Sequence, residues 1–120
     1  MHTLSWIATA LVALLHLWFL VMEMFLWTKP RTRRAFGLTP EFAEASKTLA
    51  ANQGLYNGFL AAGLALSLGG GPGLVALRLY LLACVVVAGV YGAATVGRRI
   101  LWIQALPGAL ALDFSWFAGR

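Results

Sequence analysis

Polar positions are scarce along this chain and recur at helical spacing inside four long apolar stretches, a pattern that predicts helices rather than strands. The first stretch runs from Leu4 to Trp27. The second helix is expected from Pro40 to Leu68, its continuous apolar part beginning near Leu49. Its start is marked by Thr39-Pro40-Glu41: a hydroxyl cap, a proline in the first turn, then an acid near the positive end of the helix dipole. Gly69-Gly70-Gly71-Pro72-Gly73 cannot continue a helix and predicts a tight turn before the third stretch, Leu74 to Gly97. The fourth, Ile100 to Ala118, carries Gln104, Pro107, Asp113 and Ser115. At about 1.5 Å per residue it is still long enough to cross hydrocarbon, and neighbouring helices can satisfy the carbonyl that Pro107 leaves free.

Composition says which solvent these helices meet. Hydrophobic residues make up 61% of the 120 positions and charged residues 11%, too little polarity to cover a water-soluble fold of this size. The expected fold is therefore an all-α integral membrane four-helix bundle, a single transmembrane domain, because each span needs about 20 residues and no length is left for a second domain. The first stretch is expected to be retained. Met1-His2-Thr3 lacks the basic residue of a secretory signal, the apolar run is too long for one, and no small-x-small cleavage site follows. The single cysteine, Cys84, excludes an intrachain disulfide and a cysteine-based zinc site, and reads as core packing.

Charge orients the spans. Lys29, Arg31, Arg33, Arg34 and Lys47 lie between the first two stretches, and Arg98 and Arg99 between the last two, while the glycine turn is uncharged. The positive-inside rule places both basic connections in the cytoplasm and both termini on the other side, with Arg78 and Arg120 as exceptions able to snorkel to the interface. The net charge of +5 thus reads as topology and attraction to anionic lipid, and nucleic-acid binding is not expected. Glu41, Glu44 and Lys47 read as a solvated face. Most of the tryptophans, Trp6, Trp27, Trp102 and Trp116, fall near helix ends as interfacial anchors, Trp18 being the exception.

Within the spans, polar residues line up. At 100° per residue His16, Glu23 and Trp27 share a face of the first helix, Gln53, Tyr56 and Asn57 a face of the second, and Tyr80, Cys84, Tyr91, Thr95 and Arg98 one of the third. On the fourth, Gln104, Gly108, Ala111 and Ser115 align. Glu23, Gln53, Asn57, Tyr91, Thr95 and Gln104 also fall in the cytoplasmic half, with His16 about 10 Å deeper than Glu23 at two helical turns. Because intramembrane charges and amides usually face protein or trapped water, the arrangement predicts a polar pocket open to the cytoplasm.

Structural readings stand beside that one. Glu23 would be accounted for by a pair with Arg98 or Arg99, the amides by interhelical hydrogen bonding, and His16 by a satisfied core position. Gly54-x-x-x-Gly58-x-x-x-Ala62 is a small-residue stripe that admits a close neighbour, as are Gly89, Gly92 and Ala93.

Glu23-Met24-Phe25-Leu26-Trp27, Phe36-Gly37-Leu38-Thr39-Pro40, Ala51-Asn52-Gln53-Gly54-Leu55-Tyr56-Asn57-Gly58, Val90-Tyr91-Gly92 and Gln104 ahead of Pro107 together resemble the bacterial domain of unknown function family 1304. The likeness spans nearly the whole chain, and the Asn-Gln-Gly-Leu-Tyr-Asn-Gly run is its most specific part. It implies a four-helix protein of the bacterial inner (cytoplasmic) membrane, passing it several times, and brings no reaction with it.

The expected function is binding of an amphiphilic or lipid-like small molecule by His16, Glu23, Trp27, Gln53, Tyr56, Asn57, Tyr91, Thr95 and Gln104. Cofactor-independent, isomerase-type proton transfer is the enzymatic extension, with His16 or Glu23 shifting a proton and Gln53, Asn57 and Tyr91 holding a head group or an enolate-like charge. Whether the chain is an enzyme stays open at this point. One alternative is proton-coupled transport, since small multidrug transporters also combine four short helices with one glutamate; dual topology, however, needs weaker charge bias than this. The other is a structural role, with homo-oligomers or partners joined through the glycine stripe. No cofactor is expected: His16 and Glu23 are too few for a metal site, and no phosphate-binding loop is present.

Overall fold

The apolar stretches fold as helices, and three of the chain's helices open on proline. A computed structural model describes residues 1–119 and is all-helical, 86% helix, with no strand among the described residues. Its elements are α1 (His2–Phe25), α2 (Pro30–Phe36), α3 (Pro40–Leu66), α4 (Pro72–Thr95), a π-helical segment Leu101–Ala105, and α5 (Leu106–Ala118). Arg120, expected to snorkel, lies outside the described residues.

Prolines open three of these helices, because the first helical position needs no N–H and already has the φ that proline imposes. Thr39 caps α3 as its sequence implies: its hydroxyl accepts from the Phe42 backbone N–H at 3.1 Å. α4 starts two residues earlier than expected. Gly71 turns the chain at φ +113°, and Pro72 is already helical.

Two further features depart from the sequence expectation. The basic connection after α1 holds a helix of its own, α2, stopped by Gly37 in the left-handed conformation at φ 66°. Gly37 and Leu38 cap the carbonyls of Arg34 and Arg33, and those two cations sit at the negative end of the helix dipole. The fourth stretch, in turn, begins as a π turn, with the Leu106 N–H bonded to the Leu101 carbonyl. Pro107 explains the widening: it cannot donate to the Ile103 carbonyl, and its ring would crowd that group in a regular α-turn.

α1 and α4 are long and apolar enough to cross a membrane, with mean hydropathies of 2.1 and 2.3 over their best 18-residue windows. α3, at 27 residues, is not apolar enough for the same test, since Asn52, Gln53, Tyr56 and Asn57 interrupt its otherwise uncharged apolar part, and α5 alone has only 13 residues.

Packing divides the chain into two units. The first joins Met1–Leu14 to the chain from Ala62 onward. Its core is Val12, Ala13, Leu64, Leu82, Val85 and Ala111, flanked by Ala8, Leu81 and Leu112. Here the π segment meets α4 backbone to backbone, and α5 seats valine side chains of α4 on a glycine. A Cβ on Gly89 would lie 2.8 Å from the Ala105 backbone nitrogen, and one on Gly108 would lie 2.8 Å from Val85 Cγ1. Such close approach is how helices gain contact where apolar burial alone does not discriminate.

The second unit is Leu15–Ala61. Gly54 faces Leu20, Glu23 and Met24 of α1, and Gly58 faces Leu20. That glycine stripe is therefore occupied by the chain's own first helix.

Candidate functional site

Glu23 and Asn57 form the polar centre of the second unit. The Gly54–Gly58 seam brings α3 against α1, and one turn past Gly54 the Asn57 side chain, 9% exposed, donates from Nδ2 to Glu23 Oε1 at 2.5 Å. Glu23 itself is half-buried. A carboxylate can accept about four hydrogen bonds, so this acid keeps most of its accepting capacity for another partner. Among the described residues the one ion pair is Lys47–Glu44, exposed on α3; the Glu23 carboxylate takes an amide instead.

His16, two turns before Glu23 on α1, is fully buried, with Phe19 edge-on at 5.3 Å between ring centroids. Trp27 ends the same face. Its indole Nε1–H donates to Ser46 Oγ at 3.0 Å, Ser46 Oγ–H donates to the Phe42 carbonyl at 2.6 Å, and Phe36 of α2 packs on the indole with centroids 5.0 Å apart. A single tryptophan thus ties the end of α1 to both α2 and α3. Sequence reading did not single out Ser46; its place seven residues after Thr39, two turns along the same side of α3, was the available signal.

Other expected site residues stand differently. Gln53 and Tyr56 are exposed, because the buried side of α3 is the row Ala50, Gly54, Asn57, Ala61 and Leu64, turned roughly a fifth of a turn from the polar face at 3.6 residues per turn. On α4 the buried row is Arg78, Leu82, Val85 and Gly89. Tyr91, 71% exposed, lies on the far side of that helix, where with Tyr80 and Cys84 it lines a shallow apolar groove. Thr95 is exposed and donates to the Tyr91 carbonyl at 2.8 Å. The Gln104 side chain donates to the Val85 carbonyl at 3.2 Å, fastening the π segment to α4. Tyr91, Thr95 and Gln104 belong to the first unit; the other six expected residues belong to the second.

The first unit holds a polar centre of its own, built on Arg78. This side chain does not snorkel; it is 9% exposed. Nε and Nη2 donate to the Ser67 carbonyl at 3.2 and 2.5 Å, and Nη1 donates to Ser5 Oγ at 3.2 Å. Ser5 Oγ in turn shares a hydrogen bond of 2.8 Å with Ser115 Oγ, and the Ser67 hydroxyl donates to the Leu64 carbonyl at 2.6 Å. Four stretches of chain meet there with every polar partner neutral. Ser5 was legible in principle: Ser5, Thr9, Val12 and His16 recur every three or four residues and form the buried row of α1.

Residues 10–116 match the profile of a family described as protein of unknown function (DUF1304). The chain belongs to that family. It is also 31% identical over 119 residues to the uncharacterized protein YpaA of Lactococcus lactis subsp. lactis (strain IL1403), an alignment covering 98% of this chain and 100% of that one. No solved structure matches it. The relatives thus give the family its extent, and the chemistry must be argued from the side chains.

Proposed function

We propose that the chain is a multi-pass protein of the bacterial cytoplasmic membrane that binds an amphiphilic, lipid-like molecule, with the Glu23–Asn57 pair as the polar anchor of its head group. The observation that carries this reading is the half-buried carboxylate held by one neutral amide, on a helix apolar enough to cross a bilayer. Intramembrane acids are costly and tend to mark functional positions. Large apolar side chains exposed on α1, α3, α4 and the π segment, Leu11, Leu14, Phe59, Val87 and Trp102 among them, support a lipid surrounding, since patches of this extent are unusual on water-soluble monomers.

In this reading four spans cross the membrane. The basic residues of α2 and the Arg98-Arg99 pair face the cytoplasm, and both termini and the charge-free glycine turn face the other side. Glu23 then lies in the cytoplasmic half, where it accepts a hydrogen bond from a hydroxyl or ammonium head group, or takes up a proton, while the apolar tail lies along neighbouring helix surfaces.

The test is native mass spectrometry of the protein released from micelles with a panel of bacterial lipids and free fatty alcohols, comparing wild type with Glu23→Gln and Asn57→Leu. We expect one amphiphile class to be retained by wild type and retained about tenfold less by either variant, the loss of one charge-assisted hydrogen bond. Equal retention by all three proteins would refute the anchor. Reporter fusions at residue 35 and at both termini check the topology: opposite compartments are expected, and one shared compartment would overturn it.

A further inference from the structure

We propose that Arg78 is the base of an oxyanion site, taking a phosphate group. Three features of the first unit carry this. The guanidinium is nearly buried, and among the described residues it bonds only neutral groups and pairs with no carboxylate. A buried cation without a counter-ion is expensive. Of its five N–H donors three are engaged, which leaves one on each of Nη1 and Nη2 to offer to a phosphate.

Arg78 also lines a cleft of about 500 Å³ with His2, Gly71, Pro72, Val75 and Ser115. That volume is in the range of small-molecule sites. Among the described residues the ionisable side chains on its wall are Arg78 and His2, basic or neutral and never anionic, and the first turn of α4, the positive end of that helix dipole, borders it as well. Bonds to Ser67 and Ser5 fix the guanidinium before any ligand arrives, so little side-chain entropy is lost on binding.

A phosphodiester of an anionic lipid and free inorganic phosphate present the same chemistry, and two arms separate them. In the first, native mass spectrometry from micelles measures retention of phosphatidylglycerol against phosphatidylcholine. In the second, thermal unfolding is followed with sodium phosphate against sodium chloride at equal ionic strength. The proposal expects a preference for phosphatidylglycerol of about tenfold, stabilisation by phosphate, or both, according to the source. Arg78→Gln should abolish either signal. Because Arg78→Gln also removes the bonds to Ser67 and Ser5, His2→Glu provides a variant that leaves them intact and sets a negative charge on the cleft wall; it should cut the signal about tenfold as well. Absence of both signals in wild type, or a signal unchanged in His2→Glu, would overturn the site. The phosphate arm involves no lipid and is indifferent to the Glu23 anchor, so this site and that anchor fail or stand separately there.

Discussion

Arg78 and Glu23 are both single charges on otherwise apolar helices, yet the first is clamped by three hydrogen bonds to two neutral groups while the second has one bond from one amide. The units that hold them differ in the same direction. In the first unit, glycine seats backbone against backbone at Gly89 and Ala105, about three helical turns along α4 from Arg78; in the second, Gly54 and Gly58 seat mainly the flexible side chains of Met24 and Leu20. A charge bonded to a backbone carbonyl at a helix end works as a fixture that holds elements in place and preorganises what it has left to offer. A charge with one side-chain partner in an adaptable seam can exchange that partner for a ligand at small cost. The first unit is thus built to be rigid, and the second to yield.

The contrast is broken or sharpened by four substitutions, read as loss of stability in thermal or chemical unfolding. Gly89→Ala should cost most, about 3 kcal/mol, because the new methyl meets the Ala105 backbone, which cannot move without the π segment. Arg78→Met follows at about 2 kcal/mol, since the Ser67 carbonyl and the Ser5 hydroxyl lose their donors. Trp27→Phe should cost about 1 kcal/mol, the worth of the indole bond to Ser46, with the ring packing on Phe36 retained. Gly58→Ala should be mildest, under about 1 kcal/mol, because only the end of Leu20 must give way. A larger loss from Gly58→Ala than from Gly89→Ala would invert the picture.

The helical class, the Thr39 start of α3 and the aligned face of α5 were readable from spacing alone, since each depends on local geometry. Gly108, Ala111 and Ser115 are all buried, as their alignment implies. The buried faces of α3 and α4 were not readable in the same way. Two stripes compete on α3, one polar and one small, and close packing favours the small one, leaving Gln53 and Tyr56 outside. On α4 the tyrosines drew attention to one side, while the buried row is mostly aliphatic apart from Arg78. Helix α2 was masked by its charge, although proline at its start and glycine at its end were the available markers. The Ser5–Ser115 contact joins residues 110 positions apart and leaves no local trace.

Photo-crosslinking tests the central claim most directly. A lipid analogue carrying a diazirine near its head group, activated in membranes containing the protein and followed by peptide mapping, should label the end of α1 and the turn after it, between Leu20 and Trp27, and α3 between Gly54 and Ala61. Glu23→Gln should remove that labelling without altering expression. Labels spread evenly over all helices, or an unchanged pattern in Glu23→Gln, would contradict the assignment of Glu23 as the anchor.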